Sequence, residues 1–150
     1  HVYFDKYLFE ADPEILTHIA LEMSDLLPAG TERVVGLEMG GIPLATAIGL
    51  SKPIKAGFCR KVPKEYGTCL QVEGGVKPGE KVVIIEDVIT SGGAVIGAIK
   101  ALRKLGVEIL GLICVVDREA GGAAKFQELG VNFWPLFTWS ELDALASSEV

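Results

Sequence analysis

VVIIEDVITSGGA, running from Val82 to Ala94, passes from a β-branched strand through two adjacent acids into a small-residue turn. Val82 to Ile85 has the uninterrupted apolar pattern of a central parallel strand covered on both faces. That strand delivers Glu86 and Asp87 to its C-terminal end. The turn Thr90-Ser91-Gly92-Gly93 then opens a helix predicted over Ala94 to Leu105, with Gly106 as its stop. In an open α/β sheet, ligands bind beyond the carboxyl ends of the strands. A glycine-rich turn at a helix N-terminus offers backbone N–H groups and partial positive charge to a phosphate, and Thr90 and Ser91 add hydroxyl donors. Two carboxylates beside such a turn would repel a bare phosphate. Accepting hydrogen bonds from sugar hydroxyls, with a metal alongside, gives them a task. The string therefore describes a sugar-phosphate site; two acids alone would read as the solvated end of a strand. Neither GxxxxGK[ST] nor GxGxxG occurs in it.

Outward from this stretch, strand-like and helix-like segments alternate, which predicts an α/β fold with a mostly parallel sheet. Asp12-Pro13-Glu14 is a helix start, a capping Asp followed by Pro at the first helical position. Ile15, Ile19, Met23 and Leu26 continue at helical spacing until Pro28. Arg33 to Leu37 reads as a buried strand, Ile42 to Leu50 as a small-residue helix, and Ala56 to Arg60 as a strand. Lys61 to Glu80 lacks apolar periodicity, and a stretch of that length is functional or mobile. Ile109 to Val116 is another buried strand, Glu119 to Leu129 a weaker helix, and Val131 to Phe137 a last strand. Thr138 and Glu141 form a capping box for a terminal helix.

The 150 residues fit one domain able to bury a sizeable core. A net charge of −6 disfavours a nucleic-acid partner, because gripping a phosphate backbone requires a basic face. No apolar run is long enough to cross a bilayer and no signal-peptide pattern opens the chain, so no membrane partner is expected. Cys59, Cys69 and Cys114 form no CxxC pair, which fits a reducing, cytoplasmic compartment. The chain starts at His1 rather than Met, and part of an N-terminal segment is expected to be missing.

The Val82–Ala94 string resembles the phosphoribosyl-pyrophosphate signature of type I phosphoribosyltransferases. The resemblance implies their fold, a mostly parallel central sheet flanked by helices. It implies that Glu86 and Asp87 hold the ribose hydroxyls. Val88, Ile89, Thr90, Ser91, Gly92, Gly93 and Ala94 would complete the phosphoribosyl pyrophosphate site, with Thr90 to Ala94 cradling the 5-phosphate. Mg²⁺ is the implied cofactor, held mainly by substrate near Asp87 without direct protein ligation.

Three further segments resemble the orotate branch of that family. RKVPKEYGT, Arg60 to Thr68, concentrates Arg60, Lys61 and Lys64 in an acidic protein. Alone it would be a solvated charged loop; beside a sugar-phosphate motif it suits a departing pyrophosphate. It is similar to the family's mobile catalytic loop, RKxxKxHG, with Tyr66 in the His position. A phenol donates a hydrogen bond but does not titrate near neutrality. In those homodimers the loop, here 60–68, closes over the neighbouring subunit's site. GLEMGGIPLA, Gly36 to Ala45, is similar to the pyrophosphate loop, with Gly40 and Gly41 as its glycine pair; Gly40 stands where some members carry Lys. The same turn also suits close helix–strand packing. VVDREAGG, Val115 to Gly122, places Arg118 on the sheet edge beside Glu86. The family's arginine there contacts the carboxylate of orotate, whereas a lone arginine would pair with Asp117 or Glu119. Thr90, Tyr3 and Phe4 complete the implied orotate-binding set. The resemblance thus implies transfer of ribose 5-phosphate to orotate. A phosphoribosyltransferase for another base, or a regulator that binds phosphoribosyl pyrophosphate without turnover, are the alternatives.

Overall fold

The computed structural model describes residues 5–67 and 70–148. His1, Tyr3, Phe4, Thr68 and Cys69 lie outside them, and with them the expectations placed on Tyr3, Phe4 and the end of the charged loop.

Asp12 caps the first long helix, accepting from the backbone N–H of Glu14 and Ile15 at 3.0 and 3.1 Å. With Pro13 in the first turn it starts α2 (Pro13–Asp25), after a one-turn helix α1 (Tyr7–Ala11) that no periodicity announced. Such a cap contributes about 1 kcal/mol. The chain continues through β1 (Arg33–Leu37), α3 (Gly41–Ser51), β2 (Lys55–Cys59), β3 (Val72–Glu73) and β4 (Lys81–Ile89). It then forms α4 (Gly93–Leu105), β5 (Glu108–Asp117), α5 (Gly122–Glu128), β6 (Phe133–Thr138) and α6 (Trp139–Ser148).

The six strands form one sheet in the order β3-β2-β1-β4-β5-β6. All pairings are parallel except β2 with β3. Side chains alternate across a strand, and β4 shows why both faces must be covered. Val83 and Ile85 pack with α2 and α3 through Ala20, Met23, Leu44 and Ile48. Val82 and Ile84 face the opposite layer, built by Val95, Ile99 and Leu102 of α4 and Phe126 of α5. These side chains are almost wholly buried, each worth about 1.5–3 kcal/mol of transfer free energy.

β1 leads away to β2 on one side and β4 to β5 on the other, so the direction of winding reverses between them. Their carboxyl ends therefore border a crevice, and the Gly36–Ala45 and Val82–Ala94 segments both end there. The expected fold class holds.

Three local expectations shift. The Lys61–Glu80 stretch contains β3, too short to show a period. It is held by buried Arg33, whose guanidinium meets the Glu80 carboxylate at 2.6 Å and donates to the carbonyls of Ala56, Gly74 and Gly75. The helix read from Glu119 begins at Gly122, because Glu119 has φ +58° and Gly121 φ +95°, neither helical. The strand read over Val82–Ile85 runs on to Ile89, so both acids belong to the strand itself.

Candidate active site

Glu86 and Asp87 are neighbours in β4 and so point to opposite faces of the sheet. Glu86 follows Val82 and Ile84 toward α4. There it lines a cavity of about 160 Å³ with Val88, Ile89 and the whole turn from Thr90 to Val95. Asp87 follows Val83 and Ile85 toward α1 and α3. The two acids thus look into different halves of the crevice, one onto the turn and one onto Gly40.

The turn has the form its sequence suggested. Gly92 sits at φ +83° as the cap of α4, and Ser91, Gly93 and Ala94 are exposed. A Cβ on Gly92 would lie 2.7 Å from Phe126 Cζ, so the loop rests directly on α5. From the same helix Lys125 donates to the Ser91 carbonyl at 3.0 Å, bringing to the turn a cation that no motif flagged.

Asp87 is fully buried: Val88 N–H donates to its Oδ1 at 2.6 Å, while its Oδ2 lies 3.0 Å from the Lys6 ammonium. Gly40 is buried against it. A Cβ there would fall 1.8 Å from Asp87 Oδ2 and 2.9 Å from Glu10 Oε1, so any side chain at Gly40 would displace this carboxylate. Gly41 is equally close to β4, its Cβ position lying 2.4 Å from the Ile85 carbonyl. The glycine pair is therefore both a packing turn and a wall of the crevice.

Glu10 is a third acid at this corner, missed by the sequence reading. It is 9% exposed and neither carboxylate oxygen has a hydrogen-bond partner. Burial, followed by the charge of Asp87, pushes its carboxyl up to about 8. Glu86 is likewise raised well above the carboxylate range, first by burial and then by Asp87. A carboxyl that binds its proton more tightly when folded supplies stability that is lost as pH rises from the ordinary value toward the folded one. Glu10→Gln is therefore expected to stabilise the ligand-free protein above pH 8 by about 1–2 kcal/mol, or roughly 2–6 °C in Tm. Near pH 5 the gain should be negligible. Thermal melts across pH check it, and a gain independent of pH would contradict it.

Arg60 and Lys61 line a cleft of about 380 Å³ with Glu38, Gly93, Ala94 and Gly97, which joins the start of the charged loop to the turn. The Arg60 guanidinium lies 3.5 Å from the Glu73 carboxylate, and the Lys61 N–H donates to Glu38. Lys64 and Tyr66 stand apart from this cleft. The Lys64 ammonium lies 5.3 Å from the centre of the Tyr66 ring, which is largely exposed. Arg118 sits beyond the end of β5, where its backbone N–H donates to the Ile89 carbonyl at 2.8 Å. It pairs with neither Asp117 nor Glu119: its guanidinium stacks on Trp139 at 4.3 Å, and Glu119 accepts from the Ser140 N–H instead. A stacked guanidinium keeps its N–H edge free for a planar carboxylate.

Comparison with known proteins agrees with this geometry. A family profile described as the phosphoribosyl transferase domain matches residues 11–140. An orotate phosphoribosyltransferase of Nocardioides sp. is 48% identical over 142 residues, covering 95% of this chain and 79% of that protein. Another from Methanocella arvoryzae is 41% identical over 140 residues, covering 93% and 80%. A crystal structure of orotate phosphoribosyltransferase from Mycobacterium tuberculosis in complex with 5-phospho-α-D-ribosyl 1-diphosphate superposes with a TM-score of 0.83. It is 28% identical, covering 94% of this chain and 83% of that one.

Proposed function

The chain belongs to the phosphoribosyltransferase family and, within it, to the orotate phosphoribosyltransferases, and we propose that its crevice carries their reaction in the following way. Ribose 5-phosphate passes from phosphoribosyl pyrophosphate to a ring nitrogen of orotate, giving orotidine 5′-phosphate and pyrophosphate. The observation that carries the assignment of parts is the union of Glu86 with the turn Thr90–Ala94 in one cavity at the end of β4.

The 5-phosphate sits in that turn, on the N–H groups opening α4 and the hydroxyls of Thr90 and Ser91. Glu86 and Asp87 accept from the ribose hydroxyls, Glu86 from the α4 side and Asp87 from the Gly40 side. The diphosphate extends toward Gly40 and Gly41 and toward Arg60 and Lys61. As the C1–O bond breaks, positive charge grows on the ribose ring and negative charge on the leaving group. Asp87 steadies the first and the cationic loop the second, so the protein contributes mainly position and electrostatics. Orotate is already anionic and needs little help from a base.

The residues present fit Mg²⁺ held through substrate. They offer hard carboxylate oxygens, and Asp87 Oδ2 accepts nothing from the protein beyond its contact with Lys6. Bound near Asp87, the metal would neutralise the diphosphate and order it against the ribose hydroxyls. Among the described residues no cluster of three His, Cys, Asp or Glu is arranged to ligate a metal, so substrate oxygens would supply most of the coordination.

Lys64 and Tyr66 act by closure of the 60–68 loop over the neighbouring site in a homodimer. Neither lines the cleft that joins Arg60 and Lys61 to the turn, which supports that reading. No helix among the described residues is long and apolar enough to cross a membrane, and Cys59 and Cys114 are free thiols, in keeping with a cytoplasmic enzyme.

Arg118 reads the orotate carboxylate, and uracil, the same ring without that group, provides the test. The wild type should turn over orotate with kcat/KM at least about 100-fold above uracil. Arg118→Ala should erase most of the difference by raising KM for orotate, leaving affinity for phosphoribosyl pyrophosphate within about twofold. Equal turnover of both bases by the wild type would contradict the proposed function.

A further inference from the structure

The corner where α1 meets β4 is more acidic than a diphosphate site tolerates. Glu10 and Asp87 crowd Gly40, and the Gly40–Gly41 turn brings no cationic side chain of its own. Arg60 is engaged by Glu73. The cation standing at the corner is Lys6, from an element that the sequence reading passed over.

Two positions define its place. The Lys6 ammonium is 3.0 Å from Asp87 Oδ2, and the same oxygen lies 1.8 Å from the point a Gly40 Cβ would occupy. The ammonium is thus within a few ångströms of the glycine turn. Asp87 is fully buried while the Lys6 side chain is 34% exposed, so the ammonium covers the carboxylate from the solvent side. An arriving ligand meets it first. An ammonium has three N–H donors, and one is committed to Asp87.

Glu10 follows Lys6 by one helical turn and reaches the same spot, its Oε1 lying 2.9 Å from that Gly40 point. Neither of its oxygens has a hydrogen-bond partner and it makes no ion pair with Lys6, so it does not hold the lysine down. The charge and hydrogen bond of Asp87 outweigh the burial that would lower Lys6, and its ammonium is kept charged.

We propose that Lys6 is a diphosphate-binding residue, bridging the Asp87 carboxylate to the diphosphate of phosphoribosyl pyrophosphate beside Gly40. The bridge fixes the leaving group relative to the acid that holds the ribose, so both ends of the breaking C1–O bond are tied to one ion pair. The inference rests on the reading of Gly40–Gly41 as the diphosphate turn.

Calorimetry on the full chain tests it, with phosphoribosyl pyrophosphate and Mg²⁺ as one ligand and ribose 5-phosphate as the other. Lys6→Met should weaken phosphoribosyl pyrophosphate about 10- to 100-fold and leave ribose 5-phosphate within about twofold. Lys6→Arg should restore most of the loss. Unchanged or tighter binding of phosphoribosyl pyrophosphate by Lys6→Met would overturn the proposal. So would equal weakening of both ligands, because a lysine that merely orders Asp87 would affect the ribose alike. Should Lys6→Met fail to fold by circular dichroism, Lys6→Gln carries the same expectations. A wild type that binds no phosphoribosyl pyrophosphate would instead overturn the reading of the crevice itself.

Discussion

Replacing Lys64 by alanine is expected to lower kcat for orotidine 5′-phosphate formation by about 10²- to 10³-fold, with no change in Tm beyond about 1 °C. The leaving diphosphate gains charge as the C1–O bond lengthens, and in the mechanism proposed above an ammonium that arrives on loop closure would stabilise that charge selectively in the transition state. The loss should therefore fall on kcat, with KM for phosphoribosyl pyrophosphate moving less. Stability should be untouched because the lysine makes little of the fold. Among the described residues its ammonium lies near the exposed Tyr66 ring, at 5.3 Å, and makes no ion pair. Steady-state kinetics with a parallel melt checks both halves, and a kcat within threefold of wild type would remove Lys64 from the mechanism. Mixing inactive Lys64→Ala chains with chains disabled at Asp87 adds a second reading. If the loop serves the neighbouring subunit, mixed dimers recover activity that neither parent has.

The other large effect is expected at Gly92. Alanine there must adopt φ +83° and place its Cβ 2.7 and 2.9 Å from Phe126 Cζ and Cε1. The left-handed backbone costs about 1–2 kcal/mol and the overlap about 1–3 more, so a loss of roughly 2–5 kcal/mol, or about 5–15 °C, is expected. The turn should also open, weakening phosphoribosyl pyrophosphate by more than about 100-fold, since its N–H groups must converge on one phosphate. Pairing Gly92→Ala with Phe126→Leu separates the causes. The double variant should regain the steric part of the stability relative to the sum of the two singles, while the binding defect persists. Strict additivity would mean that Phe126 does not support the turn.

These residues also mark what was legible in the sequence. β1, β4 and α2 were readable because their signals are local: continuous β-branched runs, and Asp12 with Pro13 at a helix start. The strand, acids and glycine turn of Val82–Ala94 were readable for the same reason, since they are contiguous. The far side of the crevice was not. Lys6 precedes and Glu10 lies in a one-turn helix too short for periodicity, and they acquire meaning only when the fold carries them to Asp87. Lys125 reaches Ser91 by the same kind of long-range contact. Arg118 was assigned to the correct strand end, but its partner came from Trp139 at the start of α6 rather than from the acids beside it in sequence. Gly40 was read as a turn, whereas its tighter constraint is the carboxylate packed against it. Local order thus exposed the half of the site built on β4, and the α1 half required the tertiary structure.

The most direct measurement follows orotate's ultraviolet absorbance with the full chain, phosphoribosyl pyrophosphate and Mg²⁺. The account predicts a loss of absorbance that needs all of these together, reverses on adding pyrophosphate to orotidine 5′-phosphate, and is abolished with Asp87→Ala. Orotate left intact under those conditions, by protein that binds phosphoribosyl pyrophosphate, would contradict it.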